Sequence, residues 1–132
     1  MIIDSSAIIA ILTDEPEALQ FSEALVASPI RRLSAGTWIE LSVVITRRFT
    51  PELFAQLDAL MSAYGIAIAP ITTEQARIGR DAYRRYGRGN DPLARLNFGD
   101  CFPYALAKEL GEPLLFKGDD FIHTDVTPAI PR

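Results

Sequence analysis

Short apolar runs separated by longer segments of helical period dominate this chain, and that alternation admits few folds. Met1 to Asp4 reads as a buried strand, Ile2 and Ile3 followed by an acid. Further short runs lie at Ile30 to Ser34, Ile66 to Ile71 and Leu114 to Lys117, with a last short strand expected at Asp125 to Thr127. Between them fall helical patterns. Ser5-Ser6 opens one, with Ile8, Ile9 and Leu12 on its apolar side. Glu15-Pro16 begins a second, ended by Ser28-Pro29 because a residue before proline avoids helical angles. Thr37 to Phe49 is a third. Pro51 starts a fourth, whose Leu53, Leu57, Leu60, Met61 and Tyr64 form a stripe of period 3.6. Thr73 is expected to cap a fifth that runs to about Tyr86, and Gly99-Asp100 opens a sixth that ends near Gly111. Strands alternating with helices indicate an α/β domain with a mainly parallel sheet, whose ligands bind beyond the carboxyl ends of the strands.

A length of 132 residues suits one domain, taken as residues 1–132. No apolar run is long enough to cross a bilayer and the N-terminus lacks the pattern of a signal peptide. The single cysteine, Cys101, excludes an internal disulfide framework and agrees with a reducing, cytoplasmic setting. Cys101 itself reads as a small core residue. The net charge of −4 argues on its face against nucleic acid as a partner. The charge is uneven, however: 11 of the 13 basic residues are arginines, and six lie between Arg77 and Arg95. Arg77, Arg80, Arg84 and Arg88 recur at a spacing that puts them on one face of a helix reaching that far. They are candidates for phosphate contacts, against the alternative of local pairing with Glu74 and Asp81.

Four acids stand at element junctions. Asp4 follows the first strand, Glu40 is expected in the first turn of the third helix, Asp100 begins the sixth helix, and Asp119 follows the run Leu114 to Lys117. Each has a plain structural explanation: Asp4, Asp100 and Asp119 as helix or turn caps, and Thr37-x-x-Glu40 as a capping box. The set carries more weight than its members, because all four fall at the same end of the sheet. Carboxylates that converge repel one another unless a cation intervenes, and oxygen-only ligands suit Mg²⁺ or Mn²⁺. With one histidine, His123, and one cysteine, there is no set for zinc.

Met1-Ile2-Ile3-Asp4-Ser5-Ser6-Ala7, Trp38-Ile39-Glu40, Asn97-Phe98-Gly99-Asp100-Cys101-Phe102-Pro103-Tyr104-Ala105-Leu106-Ala107 and Leu114-Leu115-Phe116-Lys117-Gly118-Asp119-Asp120-Phe121 follow one another in this order. Together they resemble the acidic motifs of PIN-domain ribonucleases, and within them the VapC toxins of type II toxin–antitoxin systems. The resemblance covers nearly the whole chain. It implies a PIN-like three-layer α/β sandwich with a mainly parallel sheet. It further implies an acidic pocket binding Mg²⁺ or Mn²⁺, and endonuclease cleavage of structured RNA, tRNA or rRNA. By position, Asp4, Glu40, Asp100 and Asp119 form the acidic set, with Asp120 able to take the place of Asp119. Asp4 and Asp100 are the expected direct metal ligands, with Ser6 in support. A VapB-type antitoxin and a homodimer are the partners the resemblance implies. Receiver domains and Asp-nucleophile phosphatases fit less well, because Asp4 has no adjacent acid and Asp4-Ser5-Ser6 is not D-x-D. A PIN-like domain that only binds RNA or protein is the remaining alternative, and it usually involves lost acids.

Overall fold

The computed structural model describes residues 1–132. Strands β1 (Ile2–Ile3), β2 (Arg32–Ser34), β3 (Ala67–Ala69) and β4 (Leu114–Leu115) form one sheet in the order β3-β2-β1-β4. All pairs are parallel, with Ile2 opposite Arg32 and Leu114, and Arg32 opposite Ala67. The helices are α1 (Ser5–Leu12), α2 (Ala18–Ala27), α3 (Ala35–Arg48), α4 (Glu52–Ala63), α5 (Thr73–Tyr86) and α6 (Cys101–Leu110). None is long and apolar enough to cross a membrane.

Side chains alternate across a strand, and here that alternation builds the layers. Ile3 and Leu115 join Ile8, Phe21, Leu25, Leu41, Ile45, Leu57 and Leu60 from α1 to α4 in one core. Ile2 and Leu114 point the other way, into a second core with Ala82 of α5 and Tyr104 and Leu106 of α6. Consecutive isoleucines therefore serve opposite faces, and three layers result. Ile2 and Ile3 are both fully buried, each contributing on the order of 1.5–3 kcal/mol through removal from water.

Several local readings change. Thr72, not Thr73, caps α5, its side chain accepting from the Gln75 amide at 3.1 Å. Ser34 caps α3 by accepting from the Gly36 amide at 3.2 Å, so Thr37 begins no capping box and Glu40 lies in the second turn. A serine at the end of a buried strand can leave the sheet and start the helix at once, two residues earlier than the apolar pattern indicates. Asp125 to Thr127 forms no strand; the tail meets β4 only at an isolated bridge, Leu114 with Pro128. Helix α5 stops at Tyr86, and Arg88 belongs to an extended segment held by the Gly87–Leu96 bridge. The predicted helical stripe of arginines therefore ends at Arg84.

Candidate acidic site

Because the strands are parallel, their carboxyl ends lie along one edge, and the chain leaves β1, β2 and β4 there. Asp4 leaves β1 and caps α1. Its Oδ2 accepts from the Ser6 amide at 3.0 Å and from the Ser6 hydroxyl at 2.5 Å. Ser6 Oγ in turn accepts from the Lys117 amide at 2.9 Å, just past β4. One serine thus joins the ends of two neighbouring strands and holds the Asp4 carboxylate. The other Asp4 oxygen, Oδ1, is buried and has no hydrogen-bond partner.

Glu40 comes from the second turn of α3 and reaches the first and third acidic motifs. Its Oε1 accepts from the Ser5 hydroxyl at 2.7 Å. Its Oε2 occupies the space beside Gly99, only 1.5 Å from where a Cβ at that position would stand. Asp100 is held by Asn97. Its Oδ2 accepts from the Asn97 amide, and Asn97 Oδ1 accepts from the Asp100 amide, both at 2.9 Å. This reciprocal pair closes the turn that leads into α6 and aims the acid. Pro103 is the third residue of α6, where a missing amide does little harm.

The electrostatics agree with convergence. Burial pushes Asp4 up to about 6, against the Ser6 bonds, and the charge of Glu40 adds to the rise. Burial pushes Asp100 up to about 7, opposed by the Asn97 amide and reinforced by Asp4, Asp120 and Glu40. Asp119 is absent from these influences. Its carboxylate is 79% exposed and lies 3.2 Å from the Arg132 guanidinium, on the side of the C-terminal tail. Of the adjacent pair, Asp120 is the acid whose charge reaches Asp100.

No three acidic, histidine or cysteine side chains are placed together to hold a metal ion, so a cation here would be held by two carboxylates at most and would keep most of its water. Mg²⁺ is typically bound through one or two carboxylates with water completing its octahedron. Two buried carboxylates, one with an oxygen that nothing else satisfies, match that requirement. The residues that could hold such an ion are Asp4 and Asp100, with Glu40 and Asp120 beside them.

Ser5, Asn97 and Gly99 lie within the acidic motifs, but the sequence assigned them no role at the site. The Asn97-x-x-Asp100 spacing was a legible capping signal; the Ser5–Glu40 contact spans 35 positions and had none. Of the arginines, Arg77 pairs with Glu74 at 3.4 Å, and Arg85, outside the stripe, pairs with Asp81 at 3.6 Å. Arg80 and Arg84 are exposed on α5. His123 is exposed. Cys101 is half-buried rather than in the core, because α6 turns it toward a groove, and burial beside Asp100 pushes its thiol up to about 11.

The comparisons with known proteins point the same way. The PIN domain family matches residues 1–126. Ribonuclease VapC42 of Mycobacterium tuberculosis is 50% identical over 129 residues, covering 98% of each chain. Ribonuclease VapC28 of the same organism is 46% identical over 132 residues, covering 100% of this chain and 99% of its own. Among solved structures, VapC20 of M. tuberculosis, described as a sarcin-ricin loop cleaving toxin, superposes with a TM-score of 0.76 at 14% identity over 98% of each chain. A toxin–antitoxin complex from Klebsiella pneumoniae gives 0.66 at 21% identity, covering 94% of this chain and 92% of that one. With its parallel sheet, its two helical layers and its acids gathered at one edge, the chain belongs to the PIN domain family, in its VapC branch.

Proposed function

We propose that this protein is a Mg²⁺-dependent endoribonuclease, the toxin of a type II toxin–antitoxin pair, that hydrolyses phosphodiester bonds in structured RNA, tRNA or rRNA. The observation that carries the reading is the position of Glu40 between Ser5 and Gly99, which brings the neighbours of Asp4 and Asp100 against one carboxylate. The names of the relatives support ribonuclease chemistry.

Asp4 and Asp100 would hold the ion, Mn²⁺ serving in place of Mg²⁺. The bound cation supplies neutralisation of charge at the scissile phosphate and a lowered pKa for water. Ser6 orients Asp4 through Oδ2 and leaves Oδ1 for the ion. Glu40, steadied by Ser5, accepts a proton from the attacking water. Asp120 adds negative charge at the rim and helps recruit the cation. Arg80 and Arg84 hold the RNA backbone while the acids act on one phosphate.

An antitoxin with basic side chains would fit the acidic pocket through charge-assisted hydrogen bonds. The Klebsiella structure, a toxin–antitoxin complex, supports an antitoxin as partner. A homodimer is the expected assembly; Ile39 and Val43 on α3, 64% and 49% exposed, offer an apolar face for it. The cytoplasm is the expected site of action.

Titrating Mn²⁺ into metal-free protein while following a labelled structured RNA tests the reading. Cleavage should rise with the ion and stop with chelator. Binding without cleavage at any Mn²⁺ concentration would instead make the protein a non-catalytic PIN-like regulator.

A further inference from the structure

A cavity of about 360 Å³ lies between α5 and α6, on the other side of the turn that carries Asp100. Three aromatic rings line it: Tyr83, Phe98 and Phe102. Phe98 and Phe102 meet edge to face at 5.1 Å, and Phe98 is 77% exposed, the most exposed large apolar side chain of the chain. Arg80 sits at the margin, and no carboxylate contributes to the wall. In a protein of net charge −4, a groove free of acids beside an acidic centre is a selective feature. Its aromatic rings with an arginine at the margin have the chemistry to take a flat group joined to an anion.

We propose that this groove is a subsite for one unpaired nucleobase of the RNA, adjacent to the phosphate that is cut. The inference rests on the ribonuclease reading and adds how the substrate is selected. Unpaired bases in RNA loops are recognised by stacking on aromatic side chains and arginine planes, and every base has a face to offer. Phe98 and Tyr83 provide those faces, and Arg80 provides a charge for the phosphate attached to the base. Continuity with the acids is covalent. Cys101 and Phe102, the two residues after Asp100, form part of the wall, and Phe98 precedes it by two. A strand with one base in the groove therefore has its adjoining phosphate close to the acidic edge. Gly36 lies under the Phe102 ring, where a Cβ would stand 2.4 Å from it, so the α3–α6 contact sets the position of that wall.

The test uses an RNA hairpin with 2-aminopurine at a single loop position, moved along the loop in successive RNAs, and the Asp4→Asn protein so that binding is read without cleavage. At one position the fluorescence should be quenched. Phe98→Ala or Tyr83→Ala should relieve the quenching and weaken binding by about five- to 150-fold, the range for losing one base–aromatic stack. An abasic site at that position should cost the same and should add nothing to Phe98→Ala. If the two losses are additive, or neither variant changes affinity or quenching, the subsite does not exist. If sedimentation shows that Phe98→Ala splits a dimer while base discrimination is retained, the groove belongs to a second copy of the chain and the proposal is overturned. Absence of any RNA binding by Asp4→Asn and wild-type protein alike would remove the ribonuclease reading itself, whereas RNA binding without a quenched position removes only the subsite.

Discussion

Glu40 Oε2 and the α-carbon of Gly99 share a space that admits no side chain at position 99: a Cβ there would stand 1.5 Å from the oxygen. The contact brings α3 against the turn before α6, and so sets Glu40 beside Asp100. Gly99→Ala must displace the carboxylate or the turn. Overpacking of this kind costs about 1–3 kcal/mol. We expect RNA cleavage to fall at least tenfold while circular dichroism still reports a folded protein. A Gly99→Ala protein that cuts RNA at the wild-type rate would show that Glu40 does not need its present position.

Asp4→Asn and Asp100→Asn should separate stability from activity. Each removes a buried negative charge but keeps an acceptor for the Ser6 or Asn97 amide. Cleavage should be lost in both. Chemical denaturation at pH 7 without divalent ions should show both variants at least as stable as wild type, because an ionised buried carboxylate disfavours folding. Undiminished cleavage by both variants would exclude the acidic site as the catalytic centre.

The pH dependence of wild-type stability follows from the same charges. Asp4 and Asp100 are raised in the folded protein to about 6 and about 7. The folded state thus binds these protons more tightly than the unfolded chain, and stability falls as pH rises. The fall should begin near the ordinary carboxylate range, about pH 4, and finish near pH 7. Mg²⁺ should offset it, raising the melting temperature more at pH 7 than at pH 5. Equal stabilisation by Mg²⁺ at the two values would argue against binding at these carboxylates.

The neighbouring acids of the β4 turn make a direct comparison. Asp120 acts on Asp100, whereas Asp119 is paired with Arg132. Asp120→Asn should raise the Mn²⁺ concentration needed for half-maximal cleavage by several-fold, and Asp119→Asn should leave it near the wild-type value. The reverse ranking would return the fourth acidic role to Asp119.

Arg80 and Arg84 lack the acidic partners that hold Arg77 and Arg85. Reversing both to Glu should weaken RNA binding and flatten its salt dependence by roughly one to two in the log–log slope. Reversing Arg77 alone should do less, because Glu74 already screens it. An unchanged slope in the double variant would make α5 an ordinary solvated helix.

The order of the four strands and six helices, the sheet's parallel sense and the acids at strand ends were legible in the residues, because each is a local matter of period and junction, whereas the further strand expected at Asp125 to Thr127 does not form. Ile2-Ile3-Asp4 announces a buried strand and the point where the chain leaves it. Three things were not legible. Ser34 starts α3 inside the apolar pattern, and a cap is decided by which hydroxyl reaches an amide rather than by hydrophobicity. The contact of Glu40 with Ser5 and Gly99 joins three distant segments, and only packing of α3 against α6 creates it. The choice between Asp119 and Asp120 depends on which way a glycine turn faces. Gly118, at φ +89°, begins that turn, and Arg132 holds Asp119 on the outer side. Spacing along a chain names the groups available for chemistry, but their mutual distances arise only when separate elements pack, and electrostatic coupling depends on those distances.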